Sequence, residues 1–110
     1  MKTLYPKDLS TLEFYSLMQG AVAPRPIAFV STIDKTGNVN LSPFSFFNLV
    51  SSQPPILIFS PLRRMRDNTT KHTLENILEV PEVVIHIVHF GMVEQMSLAS
   101  TEYEKGVNEF

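Results

Sequence analysis

Proline and glycine divide this sequence into apolar pieces of strand length, and that division points to a small sheet or barrel with short helices. Pro24-Arg25-Pro26 is extended or turn-like, because each proline steers the residue before it away from helix. Residues 27–33 then read as a strand. Asp34-Lys35-Thr36-Gly37-Asn38 forms a turn in which Gly37 is free to take positive φ, and residues 39–41 return as the partner strand. The span 27–41 is therefore a hairpin. Pro54-Pro55 introduces Ile56-Leu57-Ile58-Phe59, a second run of strand length that Pro61 ends. Residues 83–88 form a β-branched strand. Residues 42–52 fit no single element, since Phe44, Phe46, Phe47, Leu49 and Val50 are interleaved with Ser42, Ser45, Asn48, Ser51 and Ser52.

Three helices are expected around these strands. Ser10 and Glu13 have capping-box spacing, with Leu9 and Phe14 placed as a hydrophobic staple. Leu12, Tyr15, Leu17 and Met18 give that helix a rough apolar face, and Gly20 stops it. Thr73 caps a short helix over residues 74–80, with Leu74, Ile77 and Leu78 on one face and Pro81 closing it. Gly91 opens a third helix that aligns Val93, Met96 and Ala99. The tail, residues 101–110, has no clear period. The order helix, hairpin, strand, helix, strand, helix favours a mainly β fold with added helices (α+β), whereas a doubly wound sheet needs more regular alternation.

Composition narrows the function classes. The 110 residues, 44% hydrophobic and 18% charged, suit one small globular domain rather than a disordered chain. A net charge of −2 leaves no footprint for nucleic acid, Arg63, Arg64 and Arg66 being the one local concentration of basic residues. The absence of cysteine excludes disulfides, iron–sulfur ligation and thiolate zinc sites. Residues 1–10 lack the apolar stretch of a signal peptide, and no apolar run approaches the ~20 residues of a membrane span. A cytoplasmic protein is the expectation.

Several familiar catalytic signals are missing. Gly20, Gly37, Gly91 and Gly106 are too sparse for a dinucleotide fingerprint or a P-loop. His86 and His89 look like metal ligands, but residues three apart on a strand face opposite sides, so one is expected buried and the other in solvent. No metal site and no catalytic side-chain constellation are expected.

Two segments carry more. Asn40-Leu41-Ser42-Pro43-Phe44-Ser45-Phe46-Phe47-Asn48 alternates aromatic bulk with small donors, which suits a flat ring that is apolar on its faces and polar along one edge. Pro43 would help preorganise such a loop. Asn68-Thr69-Thr70-Lys71-His72-Thr73 places a cation and hydroxyls at a helix start, which suits a phosphate. From pattern alone the plainer readings are the stronger ones: an amphipathic strand with its serines in solvent, and a polar loop followed by an ordinary helix cap.

The ordered set of motifs reverses that balance. Pro24-Arg25-Pro26-Ile27-Ala28-Phe29-Val30-Ser31-Thr32, then Asp34 and Gly37, then the 40–48 segment, Ser52-Gln53-Pro54-Pro55, Phe59-Ser60-Pro61, Lys71-His72-Thr73 and Asn76-Ile77 together resemble the flavin reductase-like family, the FMN-binding split barrels that include flavoredoxins. The resemblance implies a Greek-key split β-barrel that dimerises and binds FMN, in preference to FAD, near the subunit interface. It implies that Asn40, Leu41, Ser42, Pro43 and Ser45 line the flavin ring, partly through backbone groups. Thr32 and Asn48 would lie near the ring or the ribityl chain. Ser60, Lys71 and Thr73 would approach the ribityl or phosphate end. Arg25 stays open between a cofactor contact and a buttress of the loop.

The resemblance also implies an activity, NAD(P)H-dependent reduction of the flavin with electrons passed on to a partner. The alternatives are a non-catalytic FMN-binding electron carrier or flavin store, and an inactive truncated fragment. Two departures stand out. His72 occupies a place where the family usually has aspartate, and the C-terminal part of the family domain is missing from this chain.

Overall fold

The computed structural model describes residues 1–62 and 71–100. Arg63, Arg64, Arg66, Asn68, Thr69, Thr70 and the tail from residue 101 lie outside the described residues.

Helix α1 spans Thr11–Ala21. Ser10 caps it: its Oγ accepts from the Glu13 N–H at 3.1 Å and donates to Glu13 Oε1 at 3.0 Å. Gly20 does not stop this helix. It lies inside α1, which runs on to Ala21 and is capped by Val22 (φ −108°), whose N–H returns to the Met18 carbonyl. The helix buries none of its residues fully.

The first sheet has strand order β2-β1-β5, antiparallel throughout, from β1 (Ala28–Ile33), β2 (Val39–Phe44) and β5 (Val84–Ile87). Strand β2 runs three residues past the expected 41, so Ser42, Pro43 and Phe44 belong to the ladder opposite Val30, Phe29 and Ala28. Pro43 is tolerated there because β2 is an edge strand, where one row of backbone groups needs no strand partner. A second, two-stranded sheet joins β3 (Phe47–Ser52) to β4 (Pro55–Phe59), with a register shift between Leu49 and Ser51. Helix α2 (His72–Glu79) precedes β5, and a 3-10 turn, Phe90–Met92, leads into α3 (Val93–Ala99).

The period of two along β1 and β2 builds a cluster on each face of the first sheet. Ala28, Val30 and Phe44 form one cluster, against which Phe47, Phe59 and Ile85 pack. Phe29 and Leu41 form the other with Ala99, joined by Val88, Met92 and Met96. Helix α3 thus covers one face, while α2 and the second sheet meet the other.

The β1–β2 turn is organised by one carboxylate. Asp34 Oδ1 accepts from Thr36 Oγ1 at 2.8 Å, Thr36 N–H at 2.9 Å and Asn38 N–H at 3.0 Å, and Oδ2 accepts from Asn38 Nδ2 at 3.1 Å. Gly37 completes the turn with φ 92°, the left-handed region that glycine enters without strain. The Thr36 hydroxyl, helped by Asn38 and the two backbone N–H groups, outweighs burial and lowers the Asp34 carboxyl from 3.8 to about 2. A folded-state value below the unfolded one stabilises the fold fully above pH 3.8, and that contribution is lost as pH falls through about 2. Urea midpoints measured between pH 5 and pH 2 should therefore fall more steeply for the wild type than for Asp34→Asn. Parallel curves would mean that the turn does not depend on the ionised carboxylate.

Candidate functional site

Helix α2 is stitched to the hairpin by its buried polar side chains. Thr73 is 1% exposed, and its Oγ1 accepts from Asn40 Nδ2 at 2.9 Å. The same Asn40 amide donates to Ser42 Oγ at 3.3 Å. Asn76 Nδ2 donates to Thr32 Oγ1 at 3.1 Å, and Glu79 Oε2 accepts from the Lys35 N–H at 3.1 Å. Asn76 Oδ1 is buried without a hydrogen-bond partner among the described residues.

Thr73 is therefore not the cap of α2. Its hydroxyl is held by Asn40, 33 residues earlier in the chain, and the helix begins one residue before it. The cap position is Lys71, whose side chain makes no capping hydrogen bond. Its ammonium instead lies 5.1 Å from the centroid of the Phe44 ring, within cation–π range.

A cleft of about 430 Å³ opens beside this core, within the range of small-molecule sites. Met18, Val22 and the Pro24-Arg25-Pro26 segment form one wall. Ser45, Phe46, Phe47, Asn48, Ile58 and Ser60 form the other. Arg25 braces both. Its Nη1 donates to the Gln19 carbonyl at 2.7 Å and the Val22 carbonyl at 2.6 Å, Nε donates to Ser45 Oγ at 3.3 Å, and the guanidinium lies 5.6 Å from the Phe46 ring centroid. These bonds make Arg25 a buttress of the loop, and the same residue lines the cleft. Tyr15 of α1 adds a tilted ring contact to Phe46 at 6.0 Å.

Seven of the residues singled out in the sequence fall into two groups. Ser45, Asn48 and Ser60 line the cleft. Thr32, Asn40, Ser42 and Thr73 form the amide–hydroxyl network between α2 and the hairpin. Leu41 points to the opposite face and packs in the α3 cluster, and Pro43 sits in β2 opposite Phe29. One aromatic pair joins the groups: Phe44 lies under Lys71 and contacts Phe59 at 5.3 Å between centroids, and these rings are followed in sequence by Ser45 and Ser60. Met18 and Val22 were not anticipated in the cleft; α1 is distant in sequence from the 40–48 segment, and no local signal links them. Both His86 and His89 are exposed, so neither is the expected buried member of the pair. His86 stands on β5, an outer strand of the sheet, and His89 lies beyond the strand's end.

The sequence profile described as Flavin reductase like domain matches residues 19–110. The chain belongs to the flavin reductase-like family. An uncharacterised protein of Aquifex aeolicus (strain VF5) is 46% identical over 96 residues, which cover 87% of this chain and 48% of that protein. Component B of nitrilotriacetate monooxygenase from Bacillus cereus superposes with a TM-score of 0.91 at 30% identity, covering 99% of this chain and 53% of that one. A protein of flavin-reductase type with a split barrel domain, from Shewanella frigidimarina NCIMB 400, superposes with a TM-score of 0.74 at 26% identity, covering 94% of this chain and 50% of its own. This flavin reductase-like chain thus spans about half the length of the relatives it matches. Its mainly β architecture with added helices is an incomplete portion of the split barrel. Among the described residues no helix is long and apolar enough to cross a membrane.

Proposed function

We propose that this chain binds FMN, in preference to FAD, in the cleft between α1 and the β3–β4 sheet, and acts as an NAD(P)H-dependent flavin reductase that hands electrons to a partner. The observation that carries the reading is the chemistry of the cleft: aromatic and aliphatic surface from Phe46, Phe47, Met18 and Ile58, beside hydroxyl and amide groups of Ser45, Asn48 and Ser60. A tricyclic ring with apolar faces and one polar edge fits that donor set. Bound FMN would supply the redox chemistry, and the protein supplies shape and electrostatics.

In this reading Phe46 and Ile58 pack on the ring, and Ser45 and Asn48 meet its polar edge. Ser60 approaches the ribityl chain. Lys71, at the start of α2, meets the dianionic phosphate, where a cation and a helix N-terminus act in the same sense. Thr32, Asn40, Ser42 and Thr73 hold α2 against the hairpin and so fix where Lys71 stands. The β3–β4 sheet leaves Leu49, Val50, Ile56, Leu57 and Ile58 exposed. Apolar surface of that kind supports a homodimer in which the partner covers it. Use of reduced nicotinamide suits a cytoplasmic location.

The test is direct. The purified protein should be yellow, with a flavin absorbance that FMN restores after removal, and should oxidise NADH or NADPH when FMN is present. A folded protein that takes up no FMN rejects the reading. FMN uptake without nicotinamide oxidation leaves the electron carrier or flavin store.

A further inference from the structure

We infer that Arg25 is a positioning residue that makes the Ser45 hydroxyl a hydrogen-bond donor aimed into the cleft, toward an acceptor atom on the polar edge of a bound flavin. The inference rests on the cleft being the flavin site.

A guanidinium has five N–H donors and no acceptor, so every group it meets must accept. Two carbonyls at the end of α1, those of Gln19 and Val22, accept from Nη1. These bonds alone would suffice to close the helix against its dipole. The Nε–H goes elsewhere, to Ser45 Oγ, across 20 residues of sequence. Pro24 and Pro26 on either side restrict the backbone from which Arg25 reaches, so less freedom is lost in holding this arrangement.

The consequence falls on one proton. A serine hydroxyl has one O–H and two lone pairs. Accepting from Arg25 fixes the role of a lone pair, and the O–H must then point away from the guanidinium. Among the described residues that proton meets no acceptor, while Ser45 itself lines the cleft. The bond it accepts is charge-assisted, and a hydroxyl that accepts from a cation becomes a stronger donor through polarisation. Without Arg25 the hydroxyl would rotate freely and could present a lone pair to the cleft just as well. The arginine therefore selects the sign of the contact.

A donor at the ring's polar edge interacts more strongly with the electron-richer reduced flavin than with the oxidised one. The measurement is the midpoint potential of the FMN-loaded protein, with thermal unfolding followed alongside. Ser45→Ala should weaken reduced FMN about tenfold relative to oxidised FMN, a fall of about 30 mV for a two-electron couple. Ser45→Thr keeps the hydroxyl and should keep the potential. Arg25→Lys, whose ammonium cannot serve two carbonyls and Ser45 together, should lower the potential similarly. The double variant should fall no further than Ser45→Ala alone, because both changes remove the same contact. An unchanged potential in flavin-loaded Ser45→Ala overturns the inference, and so do additive shifts in the double variant. If Arg25→Lys does not fold, the contrast between Ser45→Ala and Ser45→Thr decides. A wild-type protein that takes up no FMN overturns the flavin reading as well, so the two failures are distinguishable.

Discussion

Truncating Phe44 to alanine should lower the unfolding free energy by about 3–5 kcal/mol. Phe44 is 4% exposed and sits where three elements meet: it pairs with Ala28 across the ladder, packs against Phe59 of β4 and lies beneath Lys71 at the start of α2. Removing the ring takes away the transfer free energy of a large side chain and leaves a cavity that two short strands cannot close without breaking register. A domain of this size has on the order of 5–15 kcal/mol of stability in all, so the variant should unfold at much lower denaturant concentration. Equilibrium urea unfolding followed by circular dichroism provides the number. A loss under about 1 kcal/mol, the scale of an ordinary surface change, would show that the Ala28–Val30–Phe44 cluster is not the principal core.

Lys71→Ala should weaken FMN binding by about 1.5–3 kcal/mol, the range of a hydrogen bond to a charged group. That corresponds to a dissociation constant raised roughly 10- to 150-fold. Lys71 is half-buried, lies over the Phe44 ring and makes no capping hydrogen bond with its side chain, and a urea unfolding curve of the variant reads any loss of stability separately from the loss of binding. The loss should shrink when riboflavin, which lacks the phosphate, replaces FMN in the titration. Fluorescence titration of both ligands separates the contributions. An unchanged FMN constant would move the phosphate away from α2 and toward the arginines at 63, 64 and 66.

Much of the architecture was legible because it is local. The Asp34–Asn38 turn with its glycine, the capping pair Ser10 and Glu13, and the proline-bounded β4 all depend on residues a few positions apart. Such interactions have the same partners whatever the rest of the chain does. The limits of that reading show at Gly20, which continues a helix that a neighbouring residue ends, and at Thr73. A threonine before an apolar helical run is an ordinary cap by local rules, yet here its hydroxyl is claimed by Asn40 from another element.

The family and the short-stranded β architecture were readable in the sequence, since motif order and turn residues are written in neighbouring positions. The contacts that each polar residue makes came from packing instead. Ser42 and Ser45 are close in the chain and chemically alike, but one joins a network under α2 and the other faces a cleft. The difference comes from the end of β2 after Phe44 and from an arginine twenty residues upstream. A hydrogen bond between distant residues needs their elements packed first, so its partners cannot be read from spacing.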